Sequence, residues 1–216
     1  MAPISNNMNK KTSRDVRTDE DIRQWEARLG REWPERAQMV QYIANYVAQL
    51  PVEAPIVVEL AVGSGYLSES LLRVLPKVAY IGVDRSPALL NYAQRRLESL
   101  SPSGSYTLHL ADVNEDAWVS WLEEAGLAGK INAVVSLQSF HDFGKESQQA
   151  RAYRIVRQIL SPQGHLINAD LLLNPQKPHP RRLPASRHLQ LLREAGFAQA
   201  KCRLQSGELG CFVALA

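Results

Sequence analysis

The sequence predicts an α/β fold: a seven-stranded, mostly parallel sheet with helices on both faces and a C-terminal antiparallel hairpin. Three observations carry that expectation. From Pro55 onward, short apolar runs alternate with stretches of helical periodicity, the order of elements that builds a helix-covered sheet. The runs are near-continuously apolar, as strands buried on both faces are. The chain ends in two strand-like runs, residues 198–205 and 210–216, joined by Ser206-Gly207-Glu208, a hairpin signal.

Composition sets the frame. A chain of 216 residues fits one domain with an appendage. With 45% hydrophobic and 22% charged residues it is globular rather than disordered. A domain of this size buries roughly 70% of its unfolded surface and needs no disulfide or metal staple. A cysteine-stapled scaffold, a collagen-like chain and a coiled-coil rod are excluded. The net charge of +3, from 25 basic and 22 acidic residues, is too mild to imply nucleic acid. It is unevenly spread. Lys10, Lys11 and Arg14 precede the first acid, and Lys177, Arg181, Arg182 and Arg187 share a stretch without acids. These read as solvated basic segments, the alternative being a mouth that attracts an anionic substrate. Cys202 and Cys211 are expected as free thiols, since the polar N-terminus carries no export signal. No Cys/His cluster has zinc spacing, and no apolar run approaches 18 residues. A cytoplasmic protein without membrane contact is the expectation.

The elements follow in order. Residues 1–18 are polar and expected as a disordered or loosely docked tail. Residues 19–50 read as a helical cap of two helices, one carrying Ile22, Trp25 and Leu29, the other, after Pro34, carrying Val40, Ile43, Ala44 and Val47. Residues 51–216 form the main domain. Its strands are expected at 56–62, 78–84, 106–112, 131–137 and 165–173, and its helices at 67–75, 87–100, 115–125, 146–160 and 186–195. Gly196 stops the last helix. Ser161-Pro162-Gln163-Gly164 reads as a turn, and a proline-rich basic loop precedes the last helix. His109 falls inside a strand as a core histidine, whereas His179 and His188 are expected at the surface.

The chemistry concentrates where the first strand meets its helix, at Glu59-Leu60-Ala61-Val62-Gly63-Ser64-Gly65-Tyr66. In open parallel sheets this is the ligand crevice. Gly63 and Gly65 permit a tight turn and close approach of backbone to ligand. The second strand ends in Asp84, 19 residues after Gly65. A carboxylate there can accept both hydroxyls of a ribose. The third strand ends in Asp112, suited to an exocyclic adenine amine, with Val113 beside it to pack on the ring. Each acid alone is commonly a cap or turn residue. In order, at adjacent strand ends, they converge on one nucleoside-like ligand. A nicotinamide dehydrogenase fits less well, because the third glycine of its GxGxxG fingerprint would be Ser68.

These motifs resemble the class I S-adenosylmethionine-dependent methyltransferases of the small-molecule type. VVELAVGSG is similar to their first motif, YIGVDRSPALLNYAQRRL to the second and LHLADVN to the third. AVVSLQSFHDF resembles the fourth strand with its following loop, and LSPQGHLINAD the turn and fifth strand. The resemblance covers about residues 35–216 and implies a Rossmann-like sheet, S-adenosylmethionine as cofactor and a small-molecule acceptor methylated at O, N or C. It places Glu59, Ala61, Gly63, Gly65, Asp84, Arg85, Asp112, Val113 and Ser136 at the cofactor. Ala61 stands where the usual first glycine does. A nucleic-acid acceptor is not expected, since no Asn-Pro-Pro-Tyr type motif is present. The alternative is a non-methylating member of the fold that binds the cofactor for a structural, regulatory, cyclase or decarboxylase role.

Methyl transfer is an in-line displacement and needs a base only where the acceptor must lose a proton. His141, in the loop after the fourth strand, is the candidate catalytic base, with Asp142 beside it to orient or charge it. Ser136 and Glu59 are candidates for the amino-acid end of the cofactor, and Arg36 for its carboxylate. Trp25, Trp33, Tyr42 and Tyr46 are either core aromatics at helical spacing or the walls of an aromatic acceptor pocket. The loop after the fifth strand is short, so any lid falls to residues 19–50.

Overall fold

A computed structural model describes residues 12–13, 15–98, 100 and 106–216. Most of the expected tail, residues 1–11 and 14, lies outside them, as do Lys10, Lys11 and Arg14. Two helices come first. Helix α1 (Asp19–Glu32) opens on a capping box in which the Thr18 hydroxyl accepts from the Asp21 amide and the Asp21 carboxylate accepts from the Thr18 amide. Three acids in its first turn complement the helix dipole. Helix α2 (Arg36–Ala48) follows Pro34 and buries Met39, Val40, Ile43, Ala44 and Val47 along one face.

The alternation from residue 56 onward then proceeds as expected: β1 (Ile56–Leu60), α3 (Tyr66–Val74), β2 (Ala79–Asp84), α4 (Pro87–Glu98), β3 (Tyr106–Leu110), α5 (Ala117–Glu124) and β4 (Ile131–Leu137). A short helix, α6 (Phe140–Phe143), precedes α7 (Glu146–Ile159), β5 (Leu160–Leu171) and α8 (Ala185–Glu194). The chain closes on β6 (Gln199–Ser206) and β7 (Leu209–Leu215). The seven strands form one sheet in the order β3-β2-β1-β4-β5-β7-β6. The first five run parallel, and β7 is antiparallel to both β5 and β6.

Strand periodicity divides the core into two layers. Val58, Leu60 and Val134 face a layer with Trp118, Phe140, Tyr153 and Phe212. Val57, Ala133 and Val135 face the other, with Met39, Ile43, Leu67 and Leu71. Helix α1 lies apart from both layers, where Ile22 packs with Val16 and Leu89.

Three expectations change. Ser161–Gly164 is not a free turn but part of β5. The register passes from Ile131↔Leu160 to Ala133↔His165, so four residues of β5 stand against Asn132 alone in a bulge. The bulge accommodates Pro162, which has no amide to give the ladder. His188 is buried rather than exposed. It stands three and four residues before Leu191 and Leu192 on the apolar stripe of α8, with Nδ1 2.8 Å from the Tyr153 hydroxyl. His109 is only half-buried and stacks on Trp121 at 4.6 Å. Cys202 and Cys211 are free thiols on adjacent strands. Among the described residues no helix is long and apolar enough to cross a membrane.

Gly82, in the middle of β2, has no room for a side chain. A Cβ there would meet Val62 at 2.6 Å, Leu108 at 2.8 Å and the Tyr80 hydroxyl at 3.0 Å. Overpacking of this kind costs about 1–3 kcal/mol. Gly82→Ala is therefore expected to lower the urea midpoint by a corresponding amount without changing the slope of the unfolding transition.

Candidate active site

A cavity of about 720 Å³ opens at the C-terminal ends of β1 to β4, within the roughly 300–1,000 Å³ range of small-ligand pockets. Its floor is the turn after β1. Gly63 and Gly65 both adopt left-handed backbone, at φ 58° and 78°. Ala61 does so too, at φ 56°, an uncommon conformation for a residue with a Cβ. The turn is tied to the end of β2. The Gly63 amide donates to Asp84 Oδ2 at 2.8 Å, and the Ser86 amide to Oδ1 at 2.9 Å. Burial pushes the Asp84 carboxyl up, opposed by those two amides. At the end of β3, Asp112 Oδ1 accepts from the Asn114 amide at 2.9 Å, and Arg85 stands 3.5 Å from Oδ2. Ala61, Gly63, Asp84, Arg85, Asp112 and Val113 all line the one cavity.

Glu59 also reaches it, from the last turns of β1. Its side chain is buried, and Oε2 accepts from Ser68 Oγ at 2.9 Å and from the Tyr80 hydroxyl at 2.7 Å. Burial pushes its carboxyl up to about 8, against the pull of those two hydroxyls. Arg36, at the start of α2, is buried on the same cavity with its guanidinium 4.4 Å from the Tyr66 ring centre. Its Nε has no partner, and burial pulls its pKa down.

The roof comes from α1. Trp25 and Leu29 line the cavity, and the Trp25 ring lies against the glycine turn, 3.4 Å from where a Gly63 Cβ would stand. Arg96 on α4 fastens this helix down. Its guanidinium binds both carboxylate oxygens of Glu26 at 2.9–3.1 Å and donates to the Ser64 carbonyl at 3.0 Å. Arg95 pairs with Asp19 at 2.5 Å. Of the four aromatics considered for an acceptor pocket, Trp25 alone lines this cavity. Trp33 bonds Glu208, while Tyr42 and Tyr46 pack on each other and Tyr46 bonds His165.

Gly65, Ser136 and His141 do not line the cavity. Gly65 begins α3 where it meets Ala93 of α4. Ser136 is buried and bonded to Ser139 Oγ, which does reach the cavity. His141 stands behind Asp142, a lining residue, with Nε2 3.7 Å from Asp142 Oδ2. The basic stretch 177–187 spends its arginines on neighbours: Arg181 pairs with Asp142, Arg182 with Glu208, and Arg187 with Glu146 and Glu194.

A family model described as a methyltransferase domain matches residues 57–164, half of the chain. The chain belongs to this methyltransferase family. Its fold agrees. The carbon methyltransferase CurJ superposes with a TM-score of 0.67 at 16% identity, over 84% of this chain and 54% of its own. An O-methyltransferase family protein from Burkholderia thailandensis gives 0.61 at 16%, over 83% and 57%. A SAM-dependent methyltransferase from Aquifex aeolicus gives 0.61 at 15%, over 84% and 92%. The chain thus spans little more than half the length of several of the structures it resembles. No curated protein sequence matches it. S-adenosylmethionine is the cofactor of this methyltransferase class, and the cavity fits it. Carboxylates at the ends of β2 and β3 suit hydroxyl and amine donors, the glycine turn leaves room beside them, and the buried, unpartnered Arg36 Nε is a donor that suits a carboxylate.

Beside the methyltransferase cavity lies a pair that only the fold reveals. Asp170, near the end of β5, is fully buried and accepts from the His141 amide at 2.8 Å and from His141 Nδ1 at 2.6 Å. Asp142, the partner expected from sequence, is the more distant one. Burial pulls the His141 imidazole down, but Asp170 outweighs it and leaves His141 raised. Burial pushes Asp170 up, and His141 outweighs that in turn and leaves it lowered. The stability held in the raised histidine is full below about pH 6.5 and is lost as pH rises through its folded value. That held in the aspartate is full above about pH 3.9 and is lost as pH falls through its lowered value. The difference in melting temperature between the protein and Asp170→Asn is therefore expected to peak at mildly acidic pH and shrink toward alkaline pH. In the same variant the His141 titration, followed by NMR, moves to lower pH.

Proposed function

We propose that the protein transfers the methyl group of S-adenosylmethionine to O, N or C of a small-molecule acceptor. The observation that carries this reading is the convergence of the turn after β1, Asp84, Asp112 and Glu59 on one cavity roofed by Trp25 and Leu29. When bound, the cofactor supplies an electrophilic methyl group on a sulfonium. The chain's own residues do the rest. Two amides already occupy one lone-pair site on each Asp84 oxygen, and the remaining sites accept the ribose hydroxyls. Asp112 accepts from the adenine amine, and Val113 packs on its ring. Arg36 takes the carboxylate of the amino-acid end, and Glu59 its ammonium.

The sheet order runs β3, β2, β1, β4, β5. With the nucleoside over β3 and β2, the acceptor falls over β4 and β5. Leu137, Gln138, Ser139, Asp142 and Phe143 line that end of the cavity. His141 stands behind Asp142 at that end and is the proposed base, acting across Asp142, for acceptors that must lose a proton. Asp170 fixes its Nδ1 and leaves Nε2 as the site that receives the proton. The closed roof of Trp25 and Leu29, latched through Glu26 and Arg96, favours an acceptor small enough to lie beneath it.

The reading is tested by calorimetric titration with S-adenosylhomocysteine, with NADH as the control ligand. Micromolar binding of the first and none of the second is expected. Asp84→Ala loses two hydrogen bonds to a charged group, about 3 kcal/mol in all, so affinity should fall about a hundredfold or more. Binding of NADH in preference, or an Asp84→Ala protein that binds as well as its parent, would sink the assignment.

A further inference from the structure

Glu59 sits in a closed triangle of oxygens. Its Oε2 is 2.9 Å from Ser68 Oγ and 2.7 Å from the Tyr80 hydroxyl, and those two hydroxyls are 2.7 Å from each other. All three side chains are buried, at 2% exposure for Glu59, 0% for Ser68 and 1% for Tyr80. Each edge is short enough to be a hydrogen bond, so the triangle calls for three protons. Serine and tyrosine bring one each. With Glu59 ionised, one edge is left as two buried oxygens facing each other without a hydrogen. A proton on Glu59 completes the ring.

The groups around it lean the same way. Ser68 faces Glu59 from α3, Tyr80 and Asp84 from β2, and Arg36 from α2. Asp84 is a like charge. Arg36 is the single facing cation among them, and its guanidinium is engaged with the Tyr66 ring. Burial is the largest influence on the Glu59 carboxyl and raises it to about 8.

We propose that Glu59 is a neutral carboxylic acid in the free protein and gives up its proton to solvent when the cationic end of the cofactor binds beside it. The inference rests on the cofactor reading above and adds to it a proton that leaves on every binding event. A cation next to a carboxyl favours its ionised form. The ammonium of the amino-acid end then compensates the charge that the triangle alone does not. Affinity for the cofactor falls as pH drops below the Glu59 value, because the ligand must displace a proton to bind. Ser68 and Tyr80 are positioning residues in this scheme, setting the proton count without touching the ligand.

The experiment is calorimetry with S-adenosylhomocysteine at pH 7, run in phosphate and in Tris, whose ionisation enthalpies differ. The wild-type protein is expected to release roughly 0.9 proton per ligand bound, and its affinity to drop close to tenfold between pH 7 and pH 6. Glu59→Gln, which cannot ionise, is expected to release none and to bind with an affinity flat across that interval. A wild-type binding heat identical after correction in both buffers, with affinity independent of pH, overturns the inference and leaves the cofactor reading standing. Failure of the wild-type protein to bind S-adenosylhomocysteine at all overturns the cofactor reading itself. The wild-type measurement decides between these outcomes even if Glu59→Gln does not fold.

Discussion

The site depends on the clasp between Asp84 and the backbone after β1. A strand-to-helix turn with three alternate left-handed positions in five residues, Ala61, Gly63 and Gly65, has little to hold its shape from side chains. The Asp84 carboxylate supplies the hold by accepting the Gly63 amide, and it fixes its own strand end by accepting that of Ser86. Both amides are donors that the loops would otherwise leave unpaired near the cavity. The carboxylate is nearly buried, so its charge needs those donors as much as they need it. The Gly63 bond ties the turn after β1 to the end of β2 at the crevice.

How α1 comes to rest over the turn follows from charge rather than from apolar area. Its buried contribution is small: Ile22, against Val16 and Leu89. A single latch carries more. Arg96 is a fifth exposed, and it satisfies Glu26 with a two-pronged contact while also donating to the Ser64 carbonyl in the glycine turn. A partly buried pair of this geometry is worth more than a surface ion pair. It also joins three parts that must move together if the cavity is to open: the roof on α1, the turn after β1, and α4 behind Asp84.

The parallel sheet was legible because its strands carry their own signal. Runs such as residues 56–60 and 131–137 are apolar enough to be buried on both faces, and each is followed by a helical period. The acids were legible because a parallel sheet puts successive strand ends on one edge, so Glu59, Asp84 and Asp112 had to be neighbours once the strands were right. What the sequence hid depends on pairing across distance. Asp170 and His141 are 29 residues apart, and nothing local in either segment points to the other. They meet because β5 lies beside β4 in a register where Leu137 pairs with Ala169. Ser161–Gly164 carries strong turn chemistry, yet the ladder with β4 absorbs it as a bulge, a case of sheet pairing outweighing local preference. The place of His188 is legible in the helical period rather than in its polarity: counting forward to Leu191 and Leu192 puts it on the buried stripe. Four-residue α6 is too short for any periodicity to announce.

Burial pushes two carboxyls in this one fold the same way, and their partners set them apart. Asp170 lies fully out of water, and the His141 ring and amide that meet its two oxygens hold its carboxyl below the usual value. Glu59 lies equally deep and is offered only hydroxyls, which carry no charge to match its own. The difference is therefore in the partner and not in the depth. It divides the labour along the sheet edge. Over β5 an aspartate orients the imidazole proposed as a base, and over β1 a neutral glutamic acid waits for the cation that will ionise it. Under the roles proposed above, base chemistry at one end and cofactor binding at the other are each tied to pH, in the same sense. The histidine works as a base only once it has lost its proton, above its raised value. The glutamic acid, once ionised, costs the ligand nothing to deprotonate, again above its own. Both ends favour neutral to mildly alkaline conditions. With a raised histidine behind one end of the cavity and a raised glutamic acid at the other, the proposed roles tie loss of the cofactor and loss of the base to the same acidification.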